Sequence, residues 1–272
     1  MKKYFKDKVV IVTGASSGIG EAIARKFALN GSKVVLAART ESRLSEITLD
    51  IIHSGGEAFY VITDVSIEAD CRKLIEKTIG KYSRIDILVN NAGLSMRASF
   101  LDVDLRVLHR LMDVNFWGTV YCTKYALPYL IESKGSLIAV SSVAGFHGLP
   151  GRTGYSASKF AIHGFMETIR IENLKKGLHV MIIAPGFTST EIRKHALTAE
   201  GHEQGESPLV EDKLMSPEYV AKWVLKGIIK KKRNKLLTWY GRLTALFQRI
   251  VPAFVDWAYY HEMSKEPKSP IK

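Results

Sequence analysis

Short apolar runs alternate with amphipathic segments along most of the chain, and no other feature limits the possible folds as strongly. Val9–Val12 is a β-branched run that ends in a glycine turn, and apolar residues at helical spacing follow from Gly18 to Asn30. Similar pairs recur up to about residue 240. Strands that are apolar throughout are buried on both faces. The pattern therefore predicts an α/β, doubly wound fold of the Rossmann type, with helices on both faces of a mostly parallel sheet.

The length of 272 residues and the 46% hydrophobic content suffice for one large core, and no linker divides the sequence. We therefore predict a single domain over residues 1–241. Within it, the polar stretch 198–212 is predicted to be an inserted mobile loop. Residues 242–272 are predicted to form an amphipathic extension, and the chain is expected to be frayed from Glu266 onward.

Two cysteines, Cys71 and Cys122, lie in apolar, helix-like stretches, so the sequence indicates no disulfide framework. The eight histidines show no metal-ligand spacing, and we expect no metal. The short, charged N-terminus lacks the pattern of a signal peptide, and no window has the long uncharged run of a membrane span. The expected location is a reducing cytoplasm.

A glycine-containing turn, Thr13–Gly20, follows the first predicted strand. In such folds a dinucleotide pyrophosphate binds to backbone N–H groups at the start of the next helix. Gly14 would form the turn, Gly18 would let the phosphates approach, and Gly20 would let the helix pack closely. The spacing differs from G-x-G-x-x-G, and an ordinary strand–helix turn is the alternative. The residues expected to contact the nucleotide are Gly14, Ser16, Ser17, Gly18, Ile19 and Gly20.

The end of the second predicted strand indicates which nucleotide binds. An acidic residue there would hydrogen-bond the ribose 2′-hydroxyl of NAD, but this chain has Ala38 followed by Arg39. A guanidinium can hold a 2′-phosphate by two hydrogen bonds. NADP(H) is therefore the predicted cofactor, and the alternative is that Arg39 is a solvated loop charge.

Tyr155 and Lys159 are four residues apart at the start of a predicted helix, so their side chains share one helix face. Tyrosine has an ordinary pKa of about 10, too high for acid–base chemistry at neutral pH. A nearby ammonium favours the phenolate and would lower that pKa. By itself, such a pair is common by chance.

Further motifs accompany this pair, and together they resemble the short-chain dehydrogenase/reductase family over about residues 7 to 240. The resemblance implies a seven-stranded sheet of order 3-2-1-4-5-6-7 and an oxidoreductase that acts on CH–OH groups with NADP(H). It also implies that residues 188–215 cover the substrate. The C-terminal extension departs from the compact family pattern. The motifs are Thr13–Gly20, Asp64-Val65, Asn90–Gly93, Asn115, Ser141-Ser142, Tyr155 with Lys159, and Pro185-Gly186 with Thr190.

The resemblance also implies the roles of individual residues. Tyr155 would be the general acid in reduction and the base in oxidation, and Lys159 would lower its pKa and bind the nicotinamide ribose. Ser142 would hydrogen-bond the substrate oxygen, and Asn115 would hold a water beside Lys159. The further residues implied to contact the cofactor are Asp64, Val65, Asn91, Ala92, Gly93, Pro185, Gly186, Thr188 and Thr190.

Leu94, Phe146 and Phe187 suggest that the substrate pocket is apolar. The predicted reaction interconverts a ketone or aldehyde and an alcohol on a hydrophobic substrate. Two alternatives stay open: a 3-oxoacyl-carrier-protein reductase, and a non-enzymatic NADP(H)-binding or scaffold protein. His147 lies near Ser142, but Ser142 is not the central serine of a G-x-S-x-G motif, which argues against a Ser/His hydrolase built on this pair.

The net charge of +12 is concentrated near the C-terminus, where residues 213–272 contain 13 Lys/Arg and four Asp/Glu. No basic recognition module accompanies this charge, and we expect no nucleic-acid partner. An apolar stripe in the extension, flanked by Arg242 and Arg249, suits a membrane interface. Packing over the pocket or against another subunit is the alternative. The stripe consists of Leu243, Leu246, Phe247, Ile250 and Phe254, with Trp257, Tyr259 and Tyr260 following.

A second set of large side chains lies in the long predicted helix at about residues 104–133. Together with the Tyr155 helix, it resembles the pair of helices that forms dimers in the family. We therefore expect a homodimer or homotetramer. The side chains are Trp117, Tyr121, Tyr125 and Leu130.

Overall fold

The computed structural model describes residues 1–207, 214–266 and 269–271. Within these ranges, seven strands form one sheet of order β3-β2-β1-β4-β5-β6-β7, and neighbouring strands are parallel. The predicted doubly wound fold and its strand order are confirmed. The strands are β1 (Val9–Thr13), β2 (Lys33–Ala38), β3 (Glu57–Ile62), β4 (Ile87–Asn90), β5 (Ser136–Val140), β6 (His179–Ala184) and β7 (Asn234–Leu236).

The helices lie on both faces of this sheet. Successive side chains of a strand point to opposite faces, so each buried strand contributes to two cores. Val10 and Val12 of β1 are in a core with α2, α3 and α8, whereas Ile11 is in a core with α4, α6 and α7. Each fully buried side chain of this kind stabilises the fold by about 1.5–3 kcal/mol. The helices are α1 (Lys2–Phe5), α2 (Gly18–Leu29), α3 (Glu41–His53), α4 (Glu68–Tyr82), α5 (Leu105–Leu111), α6 (Gly118–Glu132), α7 (Thr153–Glu172), α8 (Pro217–Ile229), α9 (Trp239–Phe247) and α10 (Pro252–Ser264).

The long helix predicted at about residues 104–133 is divided in the structure. A π-helical segment, Met112–Trp117, separates α5 from α6. Asn115 lies in this segment, and its amide is held by Leu94: its oxygen accepts from the Leu94 N–H at 2.7 Å, and its nitrogen donates to the Leu94 carbonyl at 3.0 Å. Apolar spacing does not reveal one wide helical turn, and such turns often lie at functional sites.

The last strand lies slightly earlier in the chain than the sequence indicated. The sequence of residues 236–239 indicates a strand, but β7 ends at Leu236. Thr238 instead caps the N-terminus of α9: its hydroxyl accepts a hydrogen bond from the Gly241 N–H at 3.2 Å.

The prediction of a frayed end from Glu266 is wrong for the part of this end that the structure describes. The Glu266 side chain is 7% exposed and is paired with Arg152, which lies 114 positions earlier in the sequence. Pro270 lies against Gly151. The local composition, which is polar and contains prolines, predicted fraying. It could not predict contacts with residues this distant in sequence, and these contacts order the segment. Residues 267, 268 and 272 lie outside the described residues.

Candidate active site

A cavity of about 1010 Å³ opens at the C-terminal ends of the strands. Its walls come from the turn after β1, from the ends of β2, β4, β5 and β6, and from α7, α9 and α10. The order of the strands reverses between β1 and β4, and ligands of doubly wound sheets bind at this switch point.

The turn after β1 approaches neighbouring segments so closely that two of its positions accommodate only glycine. Gly14 has a φ of +64°, and a Cβ there would lie 2.8 Å from the Ala92 Cα. A Cβ at Gly18 would lie 2.9 Å from the Thr190 side chain. Helix α2 begins at Gly18 without a side-chain cap from Ser17, which leaves its first N–H groups for an anion. The turn therefore fits a dinucleotide pyrophosphate.

Gly20 lies beneath this turn rather than in the cavity wall. A Cβ there would collide with the Gly14 carbonyl and would lie 2.6 Å from the Asn91 Nδ2. That Nδ2 donates to the Thr13 carbonyl at 2.9 Å, so the turn is tied to the end of β4. Gly20 therefore permits the close packing of α2 on the turn.

Three polar groups converge on the other end of the cavity. Ser142 follows β5, and Tyr155 and Lys159 lie one turn apart on α7. The Lys159 Nζ is 5.6 Å from the centre of the Tyr155 ring and donates to the Val140 carbonyl at 3.1 Å. The Ser142 hydroxyl lies close enough to Tyr155 to lower its pKa by hydrogen bonding. Ser142 and Tyr155 can therefore act on one substrate atom, with the Lys159 ammonium near the Tyr155 ring.

Burial dominates the ionisation of this site. It raises the pKa of Tyr155, and hydrogen bonding by Ser142 and the charge of Arg152 oppose the change. Burial also lowers the pKa of Lys159 to about 8. The sequence predicted that Lys159 would lower the Tyr155 pKa, but in the structure burial is stronger and Arg152 is the cation that opposes it.

Asn115 and Lys159 lie on the same side of Gly93. A Cβ at Gly93 would be 3.2 Å from the Asn115 Oδ1 and 3.6 Å from the Lys159 Nζ. Asn115 is fully buried, and its Nδ2 also donates to the Ser158 hydroxyl at 2.9 Å. It thus lies behind the cavity wall, next to the lysine that sequence reasoning paired with it.

A family comparison agrees with this geometry. The model of the family described as short chain dehydrogenase matches residues 8–201. The chain belongs to the short-chain dehydrogenase family. It is 36% identical over 264 residues to 11-beta-hydroxysteroid dehydrogenase 1A of Arabidopsis thaliana, with 92% of this chain and 74% of that protein covered. It is 35% identical over 277 residues to the uncharacterized oxidoreductase YxnA of Bacillus subtilis (strain 168), with 98% and 77% covered.

Solved structures of other dehydrogenases have the same fold. An alcohol dehydrogenase of Thermococcus sibiricus, in complex with 5-hydroxy-NADP, matches with a TM-score of 0.75 and 27% identity, over 85% of this chain and 95% of that one. A short-chain dehydrogenase/reductase of Burkholderia phymatum, in complex with NAD, matches with a TM-score of 0.81 and 23% identity, over 92% and 95%. The second likeness concerns the fold alone.

The structure brings most of the predicted site residues of this short-chain dehydrogenase to one cavity. Gly20 and Asn115 support the wall from behind, as described above. The predicted residues that line the cavity are Gly14, Ser16, Ser17, Gly18, Ile19, Arg39, Asp64, Val65, Asn91, Ala92, Gly93, Leu94, Ser142, Tyr155, Lys159, Pro185, Gly186, Phe187, Thr188 and Thr190.

Phe146, a predicted substrate residue, does not line this cavity. Its ring packs edge-to-face on His163, with 4.5 Å between the ring centres. The short helical turn after Ser142 directs Phe146 towards α7 instead. The sequence placed Phe146 near the substrate because it follows Ser142 closely, and it gave no sign of this turn.

Several lining residues escaped the sequence reasoning. Arg97 and Arg152 line the cavity, as do Tyr240 and Met263 of the C-terminal helices. No local motif marks them, because each reaches the site through contacts between distant parts of the chain.

The segment expected to cover the substrate is held together by its own polar groups. Arg193 is 8% exposed, and its Nη1 and Nε donate to the Thr188 carbonyl at 2.7 Å and to the Ser207 hydroxyl at 2.9 Å. Lys194 pairs with Glu191, and His195 pairs with Glu203. These three side chains therefore have partners within the segment. Part of the segment, 208–213, lies outside the described residues.

The C-terminal helices have two different faces. Tyr259 faces inward, where its hydroxyl lies 3.0 Å from that of Thr244 and its ring packs on His147. The other members of the predicted stripe are exposed: Leu243, Leu246, Phe247, Ile250, Phe254, Trp257 and Tyr260. Most of the stripe thus faces away from the pocket, whereas its member Tyr259 lines the cavity. Within residues 1–207, 214–266 and 269–271, no helix is long and apolar enough to cross a bilayer.

The predicted oligomer surface is partly available. Trp117 and Phe160 are 43% and 47% exposed, on neighbouring helical elements. Leu130, which we had included, is fully buried in the core between the sheet and α6, so it cannot reach another subunit.

Proposed function

We propose that this short-chain dehydrogenase is an NADP(H)-dependent oxidoreductase that interconverts a ketone or aldehyde and the corresponding alcohol on a hydrophobic substrate. One observation carries the proposal. Ser142, Tyr155 and Lys159 converge on one end of a cavity whose other end is a glycine turn fit for a pyrophosphate.

The side chains divide the proton chemistry among them. A bound nicotinamide supplies the hydride in reduction and accepts it in oxidation. In reduction, the Tyr155 phenol donates its proton to the carbonyl oxygen, while the Ser142 hydroxyl hydrogen-bonds the same oxygen. The pKa of Lys159, about 8, leaves it mostly protonated at neutral pH, and its charge stabilises the phenolate that forms.

The raised Tyr155 pKa bears on the direction of the reaction. A phenol that is protonated at neutral pH is ready to donate a proton, as reduction requires. Oxidation needs the phenolate and is expected to become faster, relative to reduction, as the pH rises.

Two features support NADP(H) over NAD(H). Arg39 follows β2 directly, is exposed, and lines the cavity. Arg43, in the first turn of α3, lines it too, where it pairs with Glu21 and Glu46. A 2′-phosphate at the end of β2 would meet positive charge there, and Ala38 offers no carboxylate to the 2′-hydroxyl of NAD.

The substrate is proposed to be apolar and ring-shaped. Leu94, Met96 and Phe187 line the cavity from the catalytic domain, and Tyr240 and Met263 add apolar surface from the C-terminal helices. Several relatives are named as 11-beta-hydroxysteroid dehydrogenases, which makes fused-ring ketones the first compounds to test.

A substrate panel tests the proposal. Full-length protein is mixed with NADPH or NADH and with fused-ring ketones, simple aliphatic ketones, or a 3-oxoacyl group on a carrier protein, and nucleotide absorbance is followed. We expect turnover of the lipophilic ketones with NADPH. Turnover of the carrier-bound substrate alone would point to the acyl reductase instead. Binding of NADPH without turnover of any compound would point to a non-enzymatic protein.

A further inference from the structure

Two arginines and one glutamate form a buried ionic cluster at the catalytic cavity. Arg97 follows β4, Arg152 directly precedes α7, and Glu266 follows α10. Their side chains are 9%, 7% and 7% exposed. Both arginines line the cavity. The Arg97–Arg152–Glu266 cluster therefore belongs to the cavity wall, although the three residues are far apart in sequence.

The geometry of the cluster is that of a bound carboxylate. The Arg152 Nη2 lies 3.4 Å from one carboxylate oxygen of Glu266 and 3.2 Å from the other. The Arg97 Nε lies 3.4 Å from that second oxygen. Both guanidinium groups thus form ion pairs with one carboxylate, and the Arg152 Nη2 hydrogen-bonds both of its oxygens.

The cluster is close enough to the chemistry to affect it. The charge of Arg152 lowers the pKa of Tyr155, the group that burial raises. The three charged side chains lie in a poorly solvated wall, where removing one partner of an ion pair is costly. The pairing of these charges therefore bears on which charges the cavity admits.

Contacts on both sides of Glu266 hold the C-terminal segment in place. On one side, Met263 of α10 lines the cavity. On the other side, Pro270 lies against Gly151, the residue before Arg152. The Ser269 hydroxyl also donates to the Met263 carbonyl at 3.0 Å. A carboxylate that is tethered in this way has a high effective concentration at the arginines and is difficult to displace.

We propose that Arg97 and Arg152 form a carboxylate-binding subsite of the cavity, that Glu266 fills it, and that the filled subsite favours neutral carbonyl substrates over anionic ones. The part on substrate selection rests on the proposed function. The part on the subsite does not, because a carboxylate can bind there without turnover.

Small carboxylates test the subsite. Glu266→Gln keeps the shape of the side chain and removes its charge, and the melting temperature is measured in sodium formate and in sodium chloride at equal ionic strength. We expect the variant to melt below the wild type, and formate to raise its melting temperature by at least about 3 °C more than chloride does. Wild type and Asp256→Asn, an exposed acid of α10, should show no such difference. An equal response of all three proteins to formate would overturn the proposal.

A matched pair of ketones tests the selection. One ketone carries a carboxylate and the other carries its methyl ester on the same skeleton. The ratio of kcat/KM for the acid to that for the ester should rise at least about tenfold in Glu266→Gln, chiefly through a lower KM for the acid. It should stay constant in Asp256→Asn. A constant ratio in Glu266→Gln overturns the proposal.

A failure of the variant to fold and a failure of the proposed function give different results. If Glu266→Gln does not fold even in formate, Glu266→Asp decides the matter, because it keeps the charge and withdraws the carboxylate by one methylene. The acid-to-ester ratio should rise in it, and an unchanged ratio would count against the subsite. If no protein turns over either ketone, the proposed function fails, and the formate experiment still decides whether the arginines bind a carboxylate.

Discussion

Tyr155 and Lys159 are titratable groups held largely out of water, and burial moves their pKa values in opposite directions. The raised pKa keeps the Tyr155 phenol protonated, and the lowered pKa reduces the fraction of Lys159 that is charged. Burial disfavours the charged form of each group, so both shifts have one physical cause. The site therefore holds a buried cation that is expected to cost stability.

Lys159→Met is expected to stabilise the fold and abolish turnover. Below pH 8 the folded chain must keep a buried ammonium, whereas the unfolded chain keeps it in water with a pKa near 10.5. The unfolded state binds this proton more tightly than the folded state does. The wild-type free energy of unfolding therefore rises with pH between about 8 and 10.5, and below pH 8 this group gives it no pH dependence. The difference between the two pKa values corresponds to a gain in stability of at most about 3 kcal/mol for the variant. The lost hydrogen bond to the Val140 carbonyl reduces this gain by about 1 kcal/mol.

Urea unfolding at pH 7 and pH 10 measures this effect. The variant should exceed the wild type by about 1–2 kcal/mol at pH 7, and the gain should shrink at pH 10. Lys73→Met, at an exposed lysine of α4, is the control and should show no gain. An equal gain at both pH values would contradict the account.

Arg39→Ala is expected to reduce the preference for NADPH. A guanidinium that hydrogen-bonds a phosphate contributes about 1.5–3 kcal/mol, which corresponds to a ten- to hundredfold rise in the Kd for NADPH. The Kd for NADH should change little. Both constants are measured by fluorescence titration, with Arg106→Ala, an exposed arginine outside the cavity, as the control. A proportional loss of both nucleotides would show that Arg39 does not read the 2′-phosphate.

Gly20→Ala is expected to weaken nucleotide binding and to destabilise the fold, because the new Cβ collides with the Gly14 carbonyl. Gly80, in α4, is the matched control, since a Cβ there meets no atom within 4 Å. Gly80→Ala should stabilise the protein by about 0.5–1 kcal/mol. Melting temperature and NADPH affinity are measured for both, and equal effects of the two substitutions would argue against the close packing at the turn.

At the scale of elements, α9 and α10 combine two roles. Their inner face adds Tyr259 and Met263 to the cavity, and their outer face exposes large apolar side chains such as Phe254 and Trp257. Arg242 and Arg249 adjoin this outer face. Apolar and basic side chains together suit the interface of an anionic membrane, and packing against another subunit is the alternative for the exposed stripe.

A vesicle assay tests the stripe. We expect full-length protein to sediment with vesicles that contain phosphatidylserine, and less so at high salt. Phe254→Asn with Trp257→Asn should reduce the bound fraction strongly, because each aromatic side chain contributes about 1–3 kcal/mol when buried. Leu101→Asn, at a residue that is 95% exposed and outside the stripe, is the control. Sedimentation that is absent, or equal in all three proteins, would exclude this partner.

At the scale of the whole molecule, the sequence predicted what depends on local order along the chain. β-branched runs predicted the strands, and glycine turns predicted the ends of the first helices. Tyr155 and Lys159 were found because helical spacing alone places them together. Since all strands are parallel, residues at their C-terminal ends necessarily meet, and this explains why so many predicted site residues line one cavity.

What the sequence missed depends on contacts between distant segments. Glu266 pairs with Arg97 and Arg152 across more than a hundred positions, and no periodicity records such a contact. The direction of the Tyr155 pKa shift also escaped, because spacing gives the neighbouring cation and not the degree of burial. The homodimer or homotetramer stays a prediction that rests on exposed Trp117 and Phe160.

The most direct test of the central claim is the rate of the reaction in Tyr155→Phe. With saturating NADPH and a turned-over ketone, we expect a loss of at least about a hundredfold in kcat, because the proton donor is removed. The Kd for NADPH should change little, since the glycine turn is untouched. Turnover at the wild-type rate, with nucleotide affinity unchanged, would contradict the account.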